Sequence, residues 1–259
     1  MDVEGRAAIV TGAGTDGIGR ATALRLARLG CSVLVNYSRS KQGAEETAAE
    51  AQALGVKAVA FEADVSDDSA CRAMVEEARQ AFGRLDILVN NAGTTSYVNH
   101  AELDGVTEAL WDRILAVNVK GPFFASRAAK PAMEAVGGGE IVMTSSVASF
   151  PSTAGGGSSI PYSASKAALN NMVATLARVL ATSNIRVNAV APGWVAGSWT
   201  QAGFGQAYDT VRQIVEKKTP LPRVCEPDDA AEAIVSIVTG SDLVTGHVLP
   251  IEGGMLIGS

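Results

Sequence analysis

The chain has 259 residues, 47% of them hydrophobic and 19% charged, with a formal net charge of −6. This composition supports a large core and argues against disorder and against a nucleic-acid-binding surface, which needs clustered Lys and Arg. No apolar run reaches the roughly 18 residues of a membrane span, and "MDVEGRAAIV" lacks the basic region of a signal peptide, so a cytoplasmic protein with no membrane partner is expected.

Short apolar runs alternate with helical patterns. "AAIV" reads as the first strand, followed by the glycine cluster "TGAGTDGIG" and a helix over Gly19–Leu29. "SVLVN" and "AVAFEADV" are strands, separated by a helix over Lys41–Leu54; a further helix covers Asp67–Phe82. "LDILVNNAG" precedes one long helix, Thr107–Val136. "GEIVMTSS" leads into a Gly/Ser/Pro-rich loop, Ser149–Pro161, and a helix over Tyr162–Thr182. "IRVNAVAPG" is followed by weakly periodic residues 197–223, read as a mobile flap, then a helix over Pro227–Thr239 and the strand "HVLPIEGG". Strands such as "ILVNN" are apolar without alternation, as strands covered on both faces are. The expected fold is α/β: a single doubly wound Rossmann domain spanning the chain, with a seven-stranded parallel sheet and helices on both faces.

Cys31, Cys71 and Cys225 are far apart and form no C-x-x-C pair, so reduced, packed thiols are expected. With only His100 and His247 present, neither a metal site nor a Ser-His-Asp triad is expected.

The glycines can be read as G-x-G-x-x-G (Gly12, Gly14, Gly17) or, behind Thr11, as T-G-x-x-x-x-G-x-G (Gly12, Gly17, Gly19). Either way, a glycine-rich turn between first strand and first helix presents free N–H groups and a positive helix end to a dinucleotide pyrophosphate. An acidic residue near the end of the second strand would bond the ribose hydroxyl of NAD. Here Asn36 brings no charge, and Arg39, between Ser38 and Ser40, offers a phosphate-binding fork. NADP is therefore the expected cofactor, with NAD as the alternative.

Tyr162 and Lys166 are four apart at the start of a helix and share one face. A free phenol, with a pKa near 10, is a poor base at neutral pH. Lowering it by about 3 units takes about 4 kcal/mol, which one charge at about 4 Å supplies at an effective dielectric near 20. Lys166 is expected to supply that charge. Ser146, at the end of "EIVMTSS", can bond the same substrate oxygen.

With these parts assembled, the chain resembles the short-chain dehydrogenase/reductase family along essentially its full length. The matching motifs are "TGAGTDGIG", "ADV" at Ala63–Val65, "NNAG" at Asn90–Gly93, "VNVKG" at Val117–Gly121, "TSS" at Thr144–Ser146, "YSASK" at Tyr162–Lys166, "APG" at Ala191–Gly193 and "TGHVLPIEGG". The resemblance implies Tyr162 as general acid/base, Lys166 lowering its pKa and bonding the nicotinamide ribose, Ser146 orienting the substrate oxygen, and Asn118 holding a relay water. It implies Asp64 on the adenine with Val65 beside it, and Asn91, Ala92 and Gly93 along the central ribose. It selects Gly12, Gly17 and Gly19 as the matched glycines. Ile18, Gly193 and Val195 complete the implied cofactor contacts.

The 3-oxoacyl-carrier-protein reductase-like subgroup fits best, through "VNYSRS" and "GHVLPIEGG". The implied enzyme is an NADP(H)-dependent oxidoreductase, a ketoreductase moving hydride between nicotinamide and a small-molecule carbonyl or secondary alcohol, free or carried as a thioester. Alternatives are an NAD-dependent dehydrogenase of a small alcohol, polyol or sugar, and a non-catalytic dinucleotide-binding interaction protein. Alanine-rich faces (Ala125, Ala128, Ala129, Ala167, Ala168, Ala174) suit the helix-paired homotetramers of the family.

The chain departs from the pattern in places. The turn has one extra residue, expected to be absorbed by a positive φ at Gly14. Ser146 and Tyr162 are sixteen positions apart, more than usual, with the surplus in "STAGGGSS"; if the match slips, Ser145 or Ser149 competes with Ser146. Gly197 stands where the family usually has a Thr, leaving Ser198 or Thr200 to replace it. Trp194, Trp199, Phe204 and Tyr208 either line an apolar pocket or pack the flap onto the core.

Overall fold

The strands are buried because both faces of the sheet are covered. In the first strand, β1 (Ala7–Val10), Ala8 and Val10 point to one layer and Ile9 to the other, and all are fully buried. β2 (Ser32–Tyr37), β3 (Ala58–Glu62), β4 (Ile87–Asn90), β5 (Gly139–Thr144), β6 (Ile185–Pro192) and β7 (Val248–Ile251) follow. All pair in parallel, in the order β3-β2-β1-β4-β5-β6-β7. The computed structural model describes residues 1–151 and 158–257. Most of the expected "STAGGGSS" enlargement, Ser152–Gly157, therefore lies outside the described residues.

One layer holds α1 (Ile18–Arg28), α2 (Lys41–Ala53) and α9 (Pro227–Thr239), whose Leu26, Ala44 and Ile234 pack with Val10, Val35 and Val89. The other holds α3 (Asp68–Phe82), α5 (Gly121–Ala135) and α6 (Ile160–Leu180), with Met74, Met133 and Leu169 against Leu34, Leu88 and Met143. Local signals set the ends. The Asp67 carboxylate accepts from the N–H groups of Ser69 and Ala70, and Gly83 ends α3 at φ 78°. Glu226 and Asp229 form a reciprocal capping box around Pro227.

Two expectations change. The long helix over Thr107–Val136 is interrupted: α4 (Glu108–Leu115) passes through a π turn, Ala116–Lys120, into α5. Periodicity cannot reveal one extra residue per turn, and such bulges concentrate at functional sites. The flap segment contains two helices, α7 (Ser198–Phe204) and α8 (Tyr208–Lys218). The strand order reverses between β1 and β4, and the carboxyl ends of β1, β4, β5 and β6 open onto that crevice, where ligands of open α/β sheets bind.

Candidate active site

The turn after β1 is stitched to the end of β4. The Thr11 hydroxyl accepts from the N–H groups of Asn91 (2.9 Å) and Ala92 (3.0 Å). The Asn91 amide donates to the carbonyl oxygens of Thr11 (3.0 Å) and Gly12 (3.2 Å). Gly12 has φ 66°, and a Cβ there would meet Ala92 Cα at 2.8 Å. A Cβ on Gly19 would strike Gly12 O at 2.5 Å. Gly14 does not take the expected positive φ. Its requirement is space: a Cβ would meet Ser40 O at 2.7 Å and Tyr37 Cβ at 3.0 Å, where α2 comes down on the turn. Gly17 is different. It is extended (φ −171°) and a Cβ there would touch nothing within 4 Å, so bare backbone faces open space before half-buried Ile18 at the start of α1.

Asn36 is buried and faces inward. Its side-chain oxygen accepts from Gly12 N (3.2 Å), and its amide donates to Ala63 O (3.0 Å) and Tyr37 O (3.2 Å). Ser38 and Arg39 are exposed on the turn that follows, and among the described residues Arg39 makes no ion pair. Asp64, exposed, accepts from Ser66 N (2.9 Å) and Ser66 Oγ (2.7 Å) through one oxygen. Val65 is buried against Gly121, where a Cβ would meet its Cγ2 at 2.9 Å.

Ser146, two residues beyond β5, and Tyr162, on the first turn of α6, lie close enough for the serine hydroxyl to act on the phenol. Ser145 and Ser149 are turned elsewhere: Ser145 donates to Asn170 Oδ1 (2.5 Å), and Asn170 Nδ2 donates to Ser149 Oγ (2.8 Å). Lys166 is buried, donates to Thr144 O at 2.7 Å, and its Nζ lies 5.6 Å from the Tyr162 ring centroid. A Cβ on Gly93 would stand 3.6 Å from Asn118 Oδ1 and 3.8 Å from Lys166 Nζ. Asn118, in the π turn, is fully bonded: its oxygen accepts from Thr94 N (2.8 Å), and its amide donates to Thr94 O (3.0 Å) and Ser165 Oγ (3.0 Å). Ser165 Oγ donates in turn to Tyr162 O (2.6 Å). The side chain of Asn118 is thus a tie between the β4 loop and α6.

The expected acidic phenol is not what the protein sets by itself. Burial pushes Tyr162 up to about 12, opposed by the Ser146 hydroxyl, while burial brings Lys166 down to about 8. Desolvation is the larger effect: the Lys166 amine donates to Thr144 O, and among the described residues no cation offsets the burial of the phenol.

After β6, Gly193 N donates to Ile251 O (2.9 Å) and Val195 pairs with Cys225. Of the two stand-ins for the missing Thr, Thr200 is committed inward, to Val195 O (2.8 Å) and Gly197 O (3.1 Å). Ser198 reaches the glycine turn, donating to Asp16 O at 3.4 Å. Trp194 stacks with Phe204 (6.2 Å) and Tyr208 (5.2 Å), while Trp199 is about half exposed. Sequence reasoning missed Tyr97, whose ring meets Phe204 edge-on at 5.1 Å. Nothing in the sequence distinguishes it, because the contact comes from a loop and helix far apart in the chain.

The residues present fit a dinucleotide. Bare backbone faces outward at Gly17, before the N-terminus of α1, where a pyrophosphate binds in this fold class, and Gly93 leaves room beside Lys166.

Comparison with known proteins agrees. The model for the family described as Enoyl-(Acyl carrier protein) reductase matches residues 12–256. The granaticin polyketide synthase putative ketoacyl reductase 2 of Streptomyces violaceoruber is 39% identical over 97% of this chain and 96% of its own. The 3-oxoacyl-[acyl-carrier-protein] reductase FabG of Thermotoga maritima is 36% identical over 99% and 100%. A crystallised 7α-hydroxysteroid dehydrogenase, complexed with NADH and 7-oxo glycochenodeoxycholic acid, superposes with a TM-score of 0.88 at 32% identity, covering 97% of this chain and 94% of that one. A seven-stranded parallel sheet that gathers a serine, a tyrosine and a lysine beside a glycine turn, matched end to end by reductases and dehydrogenases, places this chain in the short-chain dehydrogenase/reductase family as an NAD(P)-dependent oxidoreductase.

Proposed function

We propose that the whole chain acts as one NADP(H)-dependent carbonyl reductase, with Ser146, Tyr162, Lys166 and Asn118 as its working residues. The observation that carries this reading is the Lys166 amine 5.6 Å from the Tyr162 ring centroid, with Ser146 beside the phenol. The cofactor, when bound, supplies or accepts the hydride at its nicotinamide ring. Ser146 holds the substrate oxygen and Tyr162 donates its phenolic proton to it. A phenol near 12 is fully protonated at neutral pH, which makes it ready as an acid and favours the reducing direction. Lys166 lies near 8 and would bond the nicotinamide ribose. Asn118 keeps the β4 loop and the start of α6 in register.

Gly12, Gly17, Ile18 and Gly19 would cradle the pyrophosphate. Asp64 and Val65 would meet the adenine, and Asn91, Ala92 and Gly93 the central ribose. Gly193 and Val195 would flank the nicotinamide. Ser38 and Arg39 would take the 2′-phosphate, since Arg39 is exposed, makes no ion pair among the described residues, and Asn36 adds no opposing charge. The substrate is a small ketone, free or as a thioester like those named for the ketoacyl and 3-oxoacyl relatives. A cytoplasmic homotetramer suits three buried, unpaired cysteines and exposed apolar side chains such as Phe123 on α5 and Val179 on α6.

Titration of the protein with NADPH and NADH tests the cofactor assignment. NADPH is expected to bind at least tenfold more tightly, and Arg39→Ala to remove that preference, as a charge-assisted bond of about 1.5–3 kcal/mol would. Equal binding of both by the unaltered chain would favour the NAD-dependent alcohol dehydrogenase instead.

A further inference from the structure

The loop after β4 is held at both ends against the start of α6. Thr94 is bonded to Asn118 through both backbone groups, and Val98 N donates to Ser158 O at 2.9 Å. Thr95 and Ser158 also share a short hydroxyl–hydroxyl hydrogen bond. Tyr97 stands between these tethers, near enough to Tyr162 for a charge on one phenol to act on the other.

Three neighbouring features of α7 converge on this one side chain. The Tyr97 ring meets Phe204 edge-on at 5.1 Å. It lies so close over Gly203 that a Cβ there would overlap the ring's Cε2 and Cζ atoms. Its hydroxyl lies within reach of the Trp199 indole N–H, which can only donate. Trp194 extends the aromatic surface behind Phe204, and its buried Nε1 has no acceptor among the described residues.

Resting on the carbonyl-reductase reading, we infer that Tyr97 is the specificity-determining residue of the site: it ties α7 down beside the Tyr162 phenol and limits the bulk of the ketone admitted. A flat aromatic wall accepts a short or planar apolar substituent next to the carbonyl. A branched substituent would have to displace the ring, and the ring cannot recede because Gly203 already touches it. Proton transfer does not pass through Tyr97, so the phenol oxygen of Tyr97 matters through α7.

The test compares cyclohexanone with 2-tert-butylcyclohexanone, together with amide hydrogen exchange over residues 198–204 in the substrate-free protein. Tyr97→Ala is expected to raise the relative kcat/KM of the tert-butyl ketone at least tenfold and to speed exchange in that segment about tenfold. Tyr97→Phe keeps the ring but loses the hydroxyl that faces Trp199; KM for both ketones is expected to rise about fivefold, more than kcat falls. In Tyr97→Ala, a merely structural role would lower both ketones' kcat/KM together and leave their ratio alone. An active unaltered enzyme whose ratio or α7 exchange does not change in Tyr97→Ala overturns this inference alone. An unaltered enzyme that reduces neither ketone with either cofactor overturns it together with the reductase reading.

Discussion

The Lys166 ammonium lies 2.7 Å from the carbonyl oxygen of Thr144, the residue two before Ser146. This bond places the amine under the end of β5, where it is buried and held near 8. The same burial holds the Tyr162 phenol near 12. The pair therefore enters the neutral range with the phenol protonated and the amine largely so.

A pH dependence follows. Reduction is expected to be flat up to about pH 8 and to fall above it as Lys166 loses its proton. Oxidation of the corresponding alcohol, which needs the phenolate, is expected to rise with pH over the same range. Initial rates in both directions between pH 6 and pH 10 check this, and parallel profiles would contradict it.

Asn36 sits where an acidic residue was sought as a marker for NAD, yet its side chain is directed at Gly12 N, Tyr37 O and Ala63 O. Asn36→Asp would aim a buried carboxylate at two carbonyl oxygens after removing the N–H groups that bond them. Stability is expected to fall by about 2–3 kcal/mol, with NADPH and NADH affinities dropping alike. Chemical denaturation and the two titrations decide it; a selective gain in NADH affinity would show that the side chain turns out toward the cofactor.

Gly14 and Gly17, both in the first turn, should behave oppositely. Gly14→Ala forces a Cβ to 2.7 Å from Ser40 O and is expected to cost more than about 2 kcal/mol of stability. Gly17→Ala meets open space at an extended backbone, so stability should stay within about 0.5 kcal/mol. Its methyl group would stand in the phosphate cradle, and dinucleotide affinity should fall at least tenfold. Melting curves with and without NADPH separate the two effects.

At the opposite end of the sheet, Glu140 is fully buried on Asn188 and Arg186, 3.0 Å and 2.8 Å away. Burial outweighs both partners and raises its carboxyl to about 7. Its folded pKa thus lies above the unfolded value, so its contribution is complete below about pH 4.5 and is lost as pH rises through about 7. The span corresponds to about 3 kcal/mol. Glu140→Gln should flatten the stability curve between these limits; curves that stay parallel would contradict the assignment.

Much of this was legible in the sequence, and the reasons are physical. Strands buried on both faces give continuous apolar runs, so β1 and β4–β6 were found close to their true positions. Ser146, Tyr162 and Lys166 sit at the ends of regular elements, and the structure brings them together across the crevice. What escaped depends on contacts between distant segments: the inward turn of Asn36, the π turn that points Asn118 at Thr94 and Ser165, and the seat of Tyr97 on Gly203. The direction of the Tyr162 shift also escaped, because a spacing of four residues fixes a shared helix face but not how deeply that face is buried.

The most direct measurement is NADPH consumption by the unaltered chain and by Tyr162→Phe across a panel of ketones and acyl thioesters at pH 7, with cofactor binding measured in parallel. The account predicts turnover by the unaltered chain, and for Tyr162→Phe a loss of at least a thousandfold in kcat with NADPH affinity kept within about threefold. Turnover that survives the loss of the phenol oxygen would contradict it.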